Sequence, residues 1–171
     1  DTISNPLALN LYTLAYDTNK NFVPLNQAIL QNLRTYLSNF RMLTDAINIK
    51  TAHIINIGID FDIIPRPNYN SNEVILRCID RLKFLLSNDK MQINMPLNKS
   101  NLMTELDKVE GVQSVARFDV TNLFDINTGY AGNQYDIVGA TKNNIIYPSL
   151  DPSIFEIKFP NSDIKGRVVN N

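Results

Sequence analysis

The sequence has little of the residues on which most catalytic and metal sites depend. It contains one cysteine, Cys78, and one histidine, His53, among 171 residues. A single cysteine excludes a disulfide within the chain, and the lack of a cysteine cluster removes the usual zinc and redox motifs. A histidine-based zinc site would also need more ligands than these two residues give. We therefore predict no metal and no cofactor. We expect Cys78 to be a small buried apolar residue and His53 to be a structural residue at or near the surface.

An excess of basic charge and long apolar runs are missing as well. The 16 Lys and Arg residues nearly balance the 17 Asp and Glu residues, which gives a formal net charge of −1. Proteins that bind DNA, RNA or an anionic membrane through charge need a basic face. No apolar run approaches the ~18 residues of a membrane-spanning helix. We therefore expect partners other than nucleic acid or a membrane.

A long alternating pattern stands out between His53 and Ile64. Apolar residues fill every second position from Ile55 to Ile63, which predicts a half-buried β-strand. Twelve residues of strand span about 40 Å, roughly twice the usual length. We therefore expect the strand either to bend, with Gly58 as the bending point, or to extend beyond its own domain.

Asp60 and Asp62 are the sharpest candidates for chemistry in this strand. Side chains two residues apart project in parallel from one face, with Cα atoms about 6.6 Å apart. Catalytic acids of inverting glycosidases flank their substrate, and calcium needs six or more oxygens from a folded loop. We therefore predict that both carboxylates face water, where charge discourages unwanted sheet pairing. The alternatives are a polar contact with a partner chain, catalysis and metal binding. The "GYAG" segment, residues 129–132, lacks the lysine of a phosphate-binding loop, and no active site is predicted.

Three segments differ in pattern, and together they predict an α+β fold. Residues 1–45 carry a broad apolar stripe after Pro24 and predict an N-terminal helical arm. Residues 46–122 predict a strand, two helices and a strand, a unit expected to fold by itself. Residues 123–171 are rich in turns, hold one alternating strand ("IFEIKF") and have too few apolar positions for a core of their own. The chain begins at Asp1 without an initiator methionine or a signal-like segment, so we expect an excerpt of a longer protein.

Capping residues set the expected helix boundaries in the middle segment. Asn70 and Glu73 form a capping-box pattern before the first helix, and Ser100 is expected to cap the second helix. Gly111 is expected to end that helix because glycine adopts the left-handed conformation most easily. The second strand is expected to have one apolar face, made of Ala116, Phe118 and Val120.

The middle segment resembles the baseplate J-like proteins of contractile phage tails and related injection machines. The similarity lies in a long alternating strand ("INIGIDFDI", 55–63), an amphipathic helix ("NEVILRCIDRLKFLL", 72–86) and the pattern of residues 96–115. In the last piece the matching positions are Pro96, Leu97, Ser100, Leu102, Leu106, Val109, Gly111, Val112 and Val115. The flanks, 36–49 and 151–166, are similar to the C-terminal part of the wedge proteins of T-even-like phages.

The resemblance implies a structural protein of the virion and no enzyme. Such wedge proteins form homodimers, join other wedge subunits and link into a ring around the tail hub, which implies assembly in the host cytoplasm. The family has no catalytic residues to transfer. Residues 88–95 depart from the family, where many members have a glycine-containing turn, so this turn is expected to differ. Two alternatives from other classes stay open: a small-ligand-binding or hydrolytic α+β domain, and a host-carbohydrate-binding module.

The candidate site is therefore a protein–protein interface. Aromatic residues are enriched at interface centres, and a terminal alternating strand can add to the sheet edge of a neighbour. We predict that the N-terminal arm and the C-terminal segment contact other subunits. The seven aromatic residues proposed for this contact are Tyr36, Phe40, Tyr130, Tyr135, Tyr147, Phe155 and Phe159.

Overall fold

A computed structural model describes residues 9–40 and 47–169 of the chain. The helices are α1 (Gln27–Ser38), α2 (Ser71–Leu85), α3 (Lys99–Asp107) and the single turn α4 (Pro160–Asp163). The strands are β1 (Leu9–Thr13), β2 (Ala15–Tyr16), β3 (Phe22–Val23), β4 (Ile47–Thr51), β5 (His53–Pro65), β6 (Leu97–Asn98), β7 (Val112–Asn122), β8 (Thr141–Lys142), β9 (Ile145–Ile146), β10 (Ser153–Glu156) and β11 (Ile164–Val168). This mixture of helices and sheets confirms the α+β class.

The long strand β5 is the centre of a four-stranded sheet. β7 pairs antiparallel with residues 57–65 of β5, and β11 pairs parallel with residues 59–63. β10 pairs parallel with residues 53–56. The expected order of strand, helix, helix and strand is present as β5, α2, α3 and β7. The C-terminal strands extend the same sheet.

β5 is buried on both faces along its first half and on alternate residues along its second. Residues 54–59 are all buried, whereas burial alternates from Asp60 onward. The C-terminal segment explains the difference because it covers the polar positions near the start of the strand. The backbone N–H of Ala131 donates to Asn56 Oδ1 at 2.7 Å, and Asn133 Nδ2 donates to the Ile54 carbonyl at 2.8 Å. The predicted half-buried strand is therefore correct only for the second half.

The core lies between one face of this sheet and the helices α2 and α3. The apolar positions of β5 that were predicted to face inward are buried there, and they are Ile55, Ile57, Ile59, Phe61 and Ile63. α2 contributes Val74, Cys78 and Leu82, and α3 contributes Leu102 and Leu106. Burial raises the pKa of the Cys78 thiol to about 11. Cys78 is thus the small buried residue that the sequence predicts.

The caps of the first two helices follow the sequence only in part. α1 begins after its cap Asn26, whose side chain accepts a backbone hydrogen bond at 2.8 Å. Pro24 therefore lies before the cap and outside the first turn. Asn70 caps α2 as expected, accepting a backbone hydrogen bond at 3.0 Å. Glu73 does not complete a capping box in the described structure, because its carboxylate pairs with Arg77 at 2.7 Å.

α3 begins earlier than expected. The side chain of Asn98 accepts a hydrogen bond from the backbone N–H of Asn101 at 3.1 Å, so Asn98 is the cap and Ser100 lies inside the helix. The helix ends at Asp107 with Lys108 as its C-cap, so Gly111 does not end it as expected and lies in the following turn with φ of +92°. A Cβ atom there would also lie 2.6 Å from Val74 Cγ2, so both backbone conformation and space favour glycine.

A bulge changes the facing of β7. The register against β5 shifts between Asp62 and Ile63, which leaves Ala116 as the extra residue. Phe118 and Val120 are buried as the sequence predicts, whereas Ala116 is exposed. The bulge is the physical reason that Ala116 departs from the predicted apolar face.

The C-terminal segment belongs to this core and does not trail away from it. Ile154, Phe155, Ile157 and Ile164 are all buried. Two of its strands pair with β5, so the sheet crosses the expected boundary at residue 122. Residues 46–122 therefore do not contain the whole sheet, since β10 and β11 pair with β5 from outside that segment.

Candidate assembly interface

The N-terminal arm is not only helical as predicted, because β1 forms a two-stranded parallel sheet with β4, and the arm is taken from here on as the described residues 9–40 and 47–51. Leu9 lies opposite Ile47, and Thr13 lies opposite Thr51. Within the described residues, neither strand pairs with the central sheet. Parallel strands normally occur in larger sheets with both faces covered, and an isolated two-stranded hairpin is marginally stable at best. Among the described residues, the outer edges of β1 and β4 have no strand partner, and their backbone groups can pair with another strand.

Helix α1 lies beside this small sheet and buries none of its 12 residues. A groove of about 320 Å³ separates the helix from β4, and Leu37, Ile47 and Ile49 are among the residues that line it. Most helical stability in proteins comes from packing an apolar face. An amphipathic helix that packs this loosely gains little of that stabilisation from the described residues.

Two of the predicted interface residues lie together in the arm. The rings of Tyr36 and Phe40 are 4.9 Å apart, a favourable spacing for an aromatic pair. Their side chains are 61% and 72% exposed, respectively. The structure therefore places both residues where another subunit can reach them.

The five predicted aromatic residues of the C-terminal segment have three different environments. Tyr147 and Phe159 are exposed, Tyr130 and Tyr135 are half-buried, and Phe155 is 1% exposed. The prediction for Phe155 is wrong because β10 pairs with β5 and directs this ring into the protein's own core. The remaining four residues keep some surface accessible to a partner.

The two half-buried tyrosines use their hydroxyl groups within the chain. Tyr130 donates to Asp163 Oδ1 at 2.6 Å, and Tyr135 donates to the Tyr147 carbonyl at 2.5 Å. Burial, together with the nearby Asp163 carboxylate, raises the pKa of Tyr130 to about 12. The ring of Tyr130 also packs edge-on against Phe159 at 5.4 Å. These tyrosines therefore stabilise the C-terminal segment.

The two aspartates of β5 differ from each other. Arg117 donates to Asp62 Oδ2 at 2.7 Å, and Arg167 Nε lies 3.5 Å from Asp62 Oδ1. The hydrogen bond from Arg117 holds the pKa of Asp62 below its usual range. Asp60 is partly exposed and forms no ion pair with the described residues. The expectation that both carboxylates only face water is thus wrong for Asp62. His53, by contrast, is exposed as expected.

Sequence reasoning missed a buried polar pair in the central sheet. Glu156 is 1% exposed, and its Oε2 accepts a hydrogen bond from Asn56 Nδ2 at 2.6 Å. The only signal in the sequence was a charged residue inside the short apolar run "SIFEI". The pairing of β10 with β5 brings the two side chains together, and neither local periodicity nor composition contains that information.

The described ranges, 9–40 and 47–169, contain no group of three or more His, Cys, Asp or Glu side chains able to hold a metal ion. In the same part of the chain, no helix has both the length and the apolar character required to cross a membrane. No protein-family model matches the chain, and no curated protein matches it. The observations that bear on function are therefore the geometry of the arm and the sequence pattern of the middle segment.

Proposed function

We propose that this chain is a structural component of a contractile phage tail baseplate, a wedge protein whose N-terminal arm joins it to neighbouring subunits. The observation that carries the proposal is the N-terminal arm, whose strands and helix are only partly covered by the described residues. β1 and β4 form a parallel pair without further described strands, and α1 packs beside them without burying a residue. Such an arm is stabilised when a neighbour covers it.

The arm offers two kinds of contact to a neighbour. Its strand edges can accept a further strand, in which backbone hydrogen bonds give affinity and alternate side chains give specificity. Tyr36, on α1, and Phe40, just after it, add a pair of exposed rings to the arm. Aromatic residues of this kind are common among the few residues that dominate binding energy. The partners are a second copy of the chain and other wedge subunits, with no role for nucleic acid or a membrane.

The order of elements supports the same proposal. The strand, two helices and strand that resemble the baseplate J-like proteins correspond to β5, α2, α3 and β7. Ring-forming subunits need a stable body and a surface that neighbours complete, and we assign these two roles to the core around β5 and to the N-terminal arm. The proposed place of action is the virion, after assembly in the host cytoplasm, and the proposed role involves no catalysis.

Coexpression with the other wedge subunits of the same phage tests this proposal. The expected result is a complex that elutes together in size-exclusion chromatography and is lost when Phe40→Ser is introduced. Leu76→Ser is the matched control, because Leu76 is also strongly exposed but lies on α2. A chain that elutes alone in the presence of every wedge subunit would contradict the proposal, as would equal binding by the two variants.

A further inference from the structure

Three lysines from distant parts of the sequence line one cleft of about 630 Å³. Lys20 lies in the turn between β2 and β3, Lys83 lies in the last turn of α2, and Lys158 lies just after β10. Small-molecule sites in proteins have volumes of roughly 300–1,000 Å³. The fold therefore brings three cationic side chains to a cavity that is large enough for a small ligand.

These lysines have few acidic partners within the described part of the chain. Lys20 and Lys158 form no ion pair with the described residues, and the carboxylate nearest to Lys83 is that of Asp80, at 3.9 Å. Lys83 Nζ also donates to Asn161 Oδ1 at 2.8 Å, and Asn161 lines the same cleft. Each ammonium group has three N–H donors. The three side chains therefore keep donors available for a ligand.

The acidic groups near the cleft accept hydrogen bonds from other parts of the chain. Asp17 Oδ1 accepts two backbone hydrogen bonds within its own turn, at 2.7 and 2.8 Å, and the oxygens of buried Glu156 accept three N–H donors. Both carboxylates lie within electrostatic range of Lys158, but neither forms an ion pair with it. Asp89 is the acidic residue among those that line the cleft. Three lysines and one aspartate give this lining a formal net charge of +2.

The rest of the lining includes an apolar surface. Leu86, Ile157 and Ile164 are buried beneath it, whereas Phe159 is 40% exposed. An apolar group of a ligand can therefore cover the accessible part of the Phe159 ring. Apolar surface combined with a few convergent polar groups is typical of small-molecule sites.

We propose that this cleft binds a small organic phosphate, with the phosphate group among Lys20, Lys83 and Lys158 and an apolar group against Phe159. A phosphate monoester carries a charge of about −1.5 to −2 at pH 7 and three strong acceptor oxygens. That charge matches the +2 of the lining, whereas a single carboxylate brings a charge of −1. Lysine binds phosphate as a point charge. This site is additional to the assembly role and does not depend on it.

Titration of the full chain, followed by nuclear magnetic resonance, tests the site with three probes. Phenyl phosphate should shift the backbone amides of Lys20, Lys83 and Lys158 along one saturable curve. Inorganic phosphate should shift the same amides with about tenfold lower affinity, because it lacks an apolar ring that leaves water. Phenylacetate has the ring but only one negative charge, so it should also bind more weakly than phenyl phosphate.

Substitution of single lysines identifies the groups that bind the phosphate. Lys83→Gln and Lys158→Gln should each weaken the binding of phenyl phosphate by about tenfold, as expected for the loss of a hydrogen bond between charged groups. Lys142→Gln is the matched control, because Lys142 is exposed on β8 and does not line the cleft. This control should bind phenyl phosphate as the unmodified chain does.

Three outcomes would overturn the proposal. The first is an absence of saturable shifts with phenyl phosphate, and the second is a phenylacetate affinity equal to that of phenyl phosphate. The third is equal binding by Lys158→Gln and Lys142→Gln. If Lys83→Gln fails to fold because it loses the contact with Asn161, Lys20→Gln replaces it, since Lys20 is exposed in a turn. Unchanged binding by Lys20→Gln would then contradict the proposal.

Discussion

Replacement of Phe155 by alanine should remove a large part of the stability of the protein. The ring is 1% exposed on β10, and its centroid lies 6.1 Å from that of Tyr135. Truncation of a buried Phe removes its transfer free energy and leaves a cavity, at a combined cost of about 3–5 kcal/mol. Domains typically unfold with a total free energy of about 5–15 kcal/mol. The loss is therefore a substantial fraction of the total free energy of unfolding.

Urea denaturation followed by circular dichroism measures this effect. For a slope of about 2 kcal/mol per molar urea, the expected loss lowers the midpoint by about 2 M at unchanged slope. Phe40→Ala is the matched control at protein concentrations where the chain is monomeric, because the same ring is removed from a position that is 72% exposed. That control should change the free energy of unfolding by no more than about 0.5 kcal/mol. Equal stability of Phe155→Ala and the unmodified chain would refute the assignment of the C-terminal segment to the core.

Further predictions concern the sheet and the absence of a metal requirement. Asp62→Asn should lower the urea midpoint more than Asp60→Asn, because only Asp62 pairs with Arg117. That hydrogen bond lowers the pKa of Asp62, so its contribution to stability is fully present at pH values above the usual Asp pKa and is lost as the pH falls through the lowered pKa. Equal urea midpoints of the two variants at all pH values would contradict this. Gly166→Ala should cost about 1–3 kcal/mol through overpacking, because its Cβ would lie 2.5 Å from Phe61 Cζ, and an unchanged melt would show that the strand can move away. Calcium, magnesium and zinc should leave the melting temperature unchanged, whereas a native-state ligand at 100 times its dissociation constant would add about 2.7 kcal/mol.

Local signals were sufficient to predict β5 and α2. The alternation of β5 and the helical spacing of α2 each arise within one element, so periodicity identifies them. The pairing of β10 with β5 was not predicted, because Asn56 and Glu156 lie 100 residues apart. A local sequence pattern does not identify the distant strand with which a central strand will pair. The burial of the first half of β5, where Ala131 and Asn133 bond to the strand, was missed for the same reason.

The accessibility of the predicted interface residues could not be read from the sequence for a related reason. An aromatic side chain needs an apolar surface to pack against, but the residue type does not show whether that surface is in the same chain. Phe155 finds it in the protein's own core, whereas Tyr36 and Phe40 remain exposed. The sequence therefore identified which residues are apolar anchors, and the pairing of β10 decided which of them are available to a neighbour.

Light scattering across a concentration series tests the proposed assembly role of the arm most directly. The unmodified chain and the control Leu76→Ser should rise from the monomer mass of 19.4 kDa towards larger species with increasing concentration. The double variant Tyr36→Ser, Phe40→Ser should stay at the monomer mass over the same range. Association of the double variant to the same extent as the unmodified chain, or an unmodified chain that stays monomeric at every concentration, would contradict the role proposed for the arm.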